Sequence, residues 1–162
     1  MGDIIMLVIL AIAIYVGVII HELGHFIVWP HGLVMIRLNP LRSWTGYYSQ
    51  TPEGLVPLRR AAGIMAELGV AFILPPYFAV GGLFGAFLTA LGFATFYGAL
   101  VSMLWGGLFA PVGFRQVGGT SDMLNMFGKN YRLASLVLAV IVVIVFQYYV
   151  VNTPAFLKAF LP

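Results

Sequence analysis

The stretch VIIHELGHFIV, residues 18–28, sets two histidines and a glutamate into a run that is otherwise apolar. His21 and His25 are four residues apart, so on a helix both imidazoles project from one face. With Glu22 they form the H-E-x-x-H spacing, in which two histidines hold zinc and the glutamate acts as general base. Bound zinc lowers the pKa of its water to about 7, which supplies a hydroxide-like nucleophile at ordinary pH. Gly24, between the histidines, would let another segment come close. A charged side chain at the centre of a bilayer costs at least about 2.5–3.5 kcal/mol, so ionisable residues in such a run point to a functional site. The alternative is a buried polar cluster that only hydrogen-bonds neighbouring helices.

Catalytic zinc takes three protein ligands and a water. The chain offers five acidic residues and three histidines from which to draw them. Asp3 belongs at the far end of the first helix, and Glu53 suits a solvated loop. Asp122, Glu67 and His31 remain, and Asp122 is the expected third ligand. His21 and His25 stand about 26 Å along a helix that begins near Ile4, at 1.5 Å per residue. Asp122 follows the third apolar span, which brings it to the same side of the bilayer. His31 completes the longer H-E-x-x-H-x-x-G-x-x-H spacing, but Val28 stands where that pattern needs glycine, so His31 is expected at the membrane interface. Glu67 could donate a hydrogen bond when protonated, line a polar cavity, pair with Arg59 or Arg60, or act as a second acid. Asn125 would share a helix face with Asp122, either to orient a substrate carbonyl or to bond backbone.

The elements that must position these residues are apolar. Of 162 residues, 62% are hydrophobic and 8% charged, and the mean hydropathy is +1.03. Soluble domains carry about a quarter charged residues. The composition therefore predicts a single all-α, multi-pass membrane domain over residues 1–162. It should have about four transmembrane helices and a small β-hairpin-like insertion after the first. The first helix covers Ile4 to Val28, with no Lys or Arg ahead of it, and reads as retained rather than as a signal peptide. Between residues 29 and 60, LVMIRL and SWTGYYSQ are β-prone runs separated by Asn39-Pro40. Residues 61–110 suffice for two crossings, with a turn at VGGLFG (80–85) and a kink at Pro75-Pro76. Thr120 or Ser121 would cap a short helix starting at Asp122, and the last span runs from about Leu133 to Val151. Cysteine is absent, which excludes disulfides and thiolate ligands, and no basic run with interleaved aromatics suggests a nucleic-acid partner.

Positive charge gives the orientation. Arg37, Arg42, Arg59 and Arg60 lie between the first and second spans, and Arg115, Lys129 and Arg132 between the third and fourth; only Lys158 falls elsewhere. Four crossings put both basic loops on one side, which the positive-inside rule makes cytoplasmic. The site would then face the cytoplasm and both termini the outside.

These residues resemble the site-2 protease family of intramembrane zinc metalloproteases, as a divergent, minimal relative. HELGH matches the family's first motif in full. AAGIMAE, residues 61–67, is similar to its G-P-x-x-N segment: Gly63 matches, with Ile64 in place of proline and Glu67 in place of asparagine. GGTSDMLN stands where the aspartate motif belongs, with Met123 following the aspartate instead of glycine. The resemblance implies a Zn2+ cofactor held by His21, His25 and Asp122, with Glu22 catalytic. It also implies zinc-dependent cleavage of transmembrane or membrane-proximal protein substrates within the lipid bilayer, under the influence of a regulatory membrane partner. The alternative is a non-catalytic membrane metal-binding protein: a transporter, a sensor or a protease-like adaptor.

Overall fold

An apolar run of 27 residues without proline forms the first helix, α1 (Gly2–Val28). Asp3 in its first turn complements the positive end of the helix dipole. The helix stops at Val28, shortly before Pro30, because proline disfavours helical backbone in the residue ahead of it. The computed structural model describes residues 2–28, 30, 33–37, 44–47, 53–104 and 127–160. The short helix expected at Asp122 and its caps lie outside the described residues, as do Asp122 itself, His31 and Asn125.

After α1, strands β1 (Leu33–Arg37) and β2 (Trp44–Tyr47) pair antiparallel, with Ile36 opposite Thr45 and Arg37 opposite Trp44. A single 3-10 turn, Glu53–Leu55, leads into α2 (Val56–Ile73). Pro57 sits in the first turn of α2, where the missing N–H is no loss. Two prolines end this helix, and the chain passes through a 3-10 turn at Pro75–Tyr77. Reversal is completed at Gly82, whose φ of +74° suits glycine, and α3 runs from there to Leu104. The last helix, α4, spans Tyr131–Phe160 and carries Pro154 near its end.

The chain is a helical membrane protein, but among the described residues three helices rather than four are long and apolar enough to cross a membrane: Gly2–Val28, Gly82–Leu104 and Tyr131–Pro154. The fourth expected crossing corresponds to α2. It was drawn from residue 61 through Pro75 toward the glycines, whereas the helix begins at Val56 and ends at Ile73. Its 18 residues therefore include Arg59, Arg60 and Glu67. Paired prolines break the helix outright because both a backbone donor and the space for the preceding turn are lost.

Helices α1, α2 and α3 pack against one another, while α4 lies on α3 and on the Pro75–Tyr77 turn. Without a hydrophobic force between helices in lipid, close approach depends on small residues and interhelical hydrogen bonds. Gly17 of α1 meets the Thr95 methyl of α3, where an added Cβ would lie 3.7 Å from it. At Gly24 the approach is tighter. A Cβ there would collide with the Ala62 carbonyl oxygen and stand 2.8 Å from the Ala66 methyl. On the other flank, Phe146 of α4 stacks on Phe96 at 3.9 Å between centroids and meets Phe72 edge-on at 5.7 Å. Such aromatic pairs contribute about 0.5–1.5 kcal/mol each beyond the area they cover.

Gly24 is thus the position where α1 tolerates no side chain. Gly24→Val is expected to destabilise the fold by at least about 1–3 kcal/mol, the usual cost of overpacking. Titration with a denaturing detergent, read by circular dichroism, measures it; a midpoint equal to that of the parent chain would refute the close contact.

Candidate functional site

His21 and His25 occupy the last two turns of α1, and α2 crosses in front of them with Arg59, Gly63 and Glu67 on one face, four residues apart. The contacts follow that ladder. His25 Nδ1 is 2.6 Å from the main-chain carbonyl oxygen of Arg59. His21 Nδ1 is 2.9 Å from Glu67 Oε2. A carbonyl oxygen can only accept, so His25 carries its proton on Nδ1; an ionised Glu67 imposes the same tautomer on His21. Both lone pairs then belong to the Nε2 atoms.

Those two Nε2 atoms converge. They lie 3.2 Å apart, with the rings nearly perpendicular at 79° and centroids 4.9 Å apart. Two bare lone pairs at that distance repel unless a cation or a proton lies between them. Two nitrogens each bound to a tetrahedral zinc at about 2.0–2.1 Å would stand about 3.3–3.4 Å apart, close to the separation here. The second requirement of a metal-binding histidine, a carboxylate or carbonyl accepting from its other nitrogen, is met on both rings. The space beside the pair is kept by Gly63: a Cβ built there would lie 2.6 Å from His21 Nε2 and 2.7 Å from His25 Nε2. The residues present therefore fit a metal ion of the zinc type.

Glu22 is buried, with 3% of its surface exposed. A carboxyl group so enclosed, one residue from His21, is of the type that exchanges protons in general acid–base chemistry. Glu67 is equally enclosed, and room for it is made by α3, where a Cβ on Gly98 would collide with Glu67 Oε1. Arg59, weighed from sequence only as an ion-pair partner for Glu67, enters through its main-chain oxygen.

The structure thus brings His21, His25 and Glu67 together at the α1–α2 contact, with Gly98 of α3 beside Glu67, and buries Glu22 next to His21 in sequence. Asp3 lies at the opposite end of α1, and Glu53 is exposed in the 3-10 turn before α2. Among the described residues, no set of three histidine, cysteine, aspartate or glutamate side chains is arranged to hold a metal ion. The expected third ligand, Asp122, lies outside them. Two mainly apolar clefts lie between α3 and α4, lined by residues such as Phe93, Phe146 and Val143. What the sequence reading missed was the pairing of Glu67 with a histidine. The spacing of Gly63 and Glu67, equal to that of His21 and His25, was the available signal.

Gly63→Ala is the direct probe of this geometry. Its methyl group would force the Nε2 atoms apart, so affinity for Zn2+ or Co2+ is expected to fall about tenfold or more while helix content is kept. Isothermal titration in detergent with a parallel dichroism spectrum checks it; undiminished affinity would mean that the two nitrogens do not bind a metal at this point.

Compared with protein-family models, curated proteins and solved structures, the chain gives no match.

Proposed function

We propose that the chain is a zinc-dependent intramembrane endopeptidase of the site-2 protease kind, acting on transmembrane or membrane-proximal protein segments. The observation that carries this reading is the pair of Nε2 atoms 3.2 Å apart, each on a ring whose other nitrogen is held. Glu22, buried in the H-E-x-x-H spacing, supports hydrolysis over simple metal storage.

In this reading His21, His25 and Asp122 hold the ion. Bound zinc supplies Lewis acidity and a water of lowered pKa. Glu22 accepts a proton from the attacking water on its carboxylate and later delivers it to the leaving amine nitrogen. The β1–β2 ribbon, with an edge on each side, can receive an unwound substrate segment by strand addition.

The same reading makes α2 a fourth membrane-embedded helix. It is about 27 Å long at 1.5 Å per residue, and its packing between α1 and α3 supports this placement. Arg59 and Arg60 then sit near its cytoplasmic end with the site, and both termini face outward, as the distribution of seven of the eight basic residues favours.

Zinc content and proteolysis are the tests. The purified chain in bicelles is expected to carry close to one equivalent of zinc by elemental analysis and to cleave quenched fluorescent peptides with one apolar span. Glu22→Gln should lower that cleavage about 100- to 10,000-fold, the range of general-base catalysis, with zinc retained. A transporter or adaptor would leave the peptides whole with or without Glu22. Zinc far below one equivalent would remove the basis of the proposal.

A further inference from the structure

We infer that Glu67 is the positioning residue of the metal centre: through His21 Nδ1 its carboxylate fixes that imidazole's tautomer and supplies negative charge to offset a bound dication. The inference rests on the metal-binding reading of His21 and His25. It concerns a residue outside the ligand set and outside the proton-transfer role given to Glu22.

Three observations support it. Glu67 Oε2 is 2.9 Å from His21 Nδ1, and only 15% and 6% of the His21 and Glu67 side-chain surfaces remain exposed. A hydrogen bond between such enclosed groups is little competed for by water. Next, the two histidines differ. His25 is held by a neutral main-chain carbonyl and His21 by a carboxylate, so the charge of Glu67 reaches the pair through the His21 ring. A carboxylate on the far nitrogen makes an imidazole a stronger donor to metal, and loss of such a partner weakens binding by about 10- to 100-fold. Last, the carboxylate has a prepared seat. Gly98 of α3 leaves the volume that Glu67 Oε1 occupies, so a methyl group there would push the carboxylate from its place.

Two neutral imidazoles offset none of a dication's charge, so even with the Asp122 carboxylate as third ligand the centre stays positive, and a surround of low dielectric constant screens it poorly. Glu67 lies one ring away from the ion's place and reduces that imbalance without occupying a coordination position. A substrate carbonyl or water can therefore still approach.

The experiment is Co2+ titration of the intact chain in detergent, followed by the visible absorption of the bound ion, with dichroism to verify the fold. Glu67→Gln preserves shape and removes the charge. It is expected to weaken Co2+ binding by about 10- to 100-fold and to alter the cobalt spectrum. Gly98→Ala should weaken binding in the same range, yet cost nothing further when Glu67 is already alanine, because the displaced carboxylate is gone. Glu67→Gln within twofold of the parent affinity would overturn the inference, as would an equal additional loss from Gly98→Ala in the Glu67→Ala background. Failure of the parent chain itself to bind Co2+ would overturn the metal-centre reading and this inference together, whereas normal parent binding with unaffected variants removes only the role of Glu67.

Discussion

At Gly24 the backbone of α1 comes so near the Ala62 carbonyl of α2 that no side chain can stand between them, and the placement of the polar groups follows from this contact. In hydrocarbon, apolar side chains gain little by leaving lipid for one another. The register of α2 on the apolar helix α1 is therefore set by where their backbones can approach. With Gly24 seated against Ala62 and Ala66, the rungs on either side are fixed: Arg59 beside His25, Gly63 facing both rings, Glu67 beside His21. A slip of one helical turn, about 5.4 Å, would leave both histidines without these acceptors.

This arrangement also answers the energetic objection to ionisable residues among apolar helices. Glu67 and the two histidines meet one another and the main chain. The desolvation each would suffer alone is offset by directed hydrogen bonds. Helix α2 tolerates its three charged residues because it is flanked by α1 and α3, whereas α1 and α4 turn broad aliphatic faces outward, as at Ile27, Leu133 and Val151. Among the described residues, Glu22, Glu67 and Thr95 are buried between helices.

Much of this was legible in the sequence, in proportion to how local the cause was. Unbroken apolarity fixed α1 to within two residues, and the positive-φ glycine at the start of α3 fell within the expected VGGLFG turn. The histidine spacing placed both rings on one face. Pro75-Pro76 announced a break, but its strength depended on what followed: the Tyr77, Phe78 and Val80 amides bond within the turn, which makes a separate structure of what reads as a kink. The extent of α2 was obscured because two arginines, Arg59 and Arg60, stand among its first five residues, where composition assigns a loop. Contacts across helices were least visible. That Glu67 would meet His21 depended on the α1–α2 register, and that Gly98 would make room for it depended on α3, some thirty residues further on.

The bond from His25 to Arg59 has a different standing from the rest of the site, because its acceptor belongs to the main chain. Residue 59 can drift among amino acids without erasing this interaction, provided the first turns of α2 keep their path. Positions 63 and 67 have no such latitude, since one must lack a side chain and the other must end in oxygen. A family tree of such proteins would consequently record half of this support in its variation and pass over the other half, although the two imidazoles depend on both.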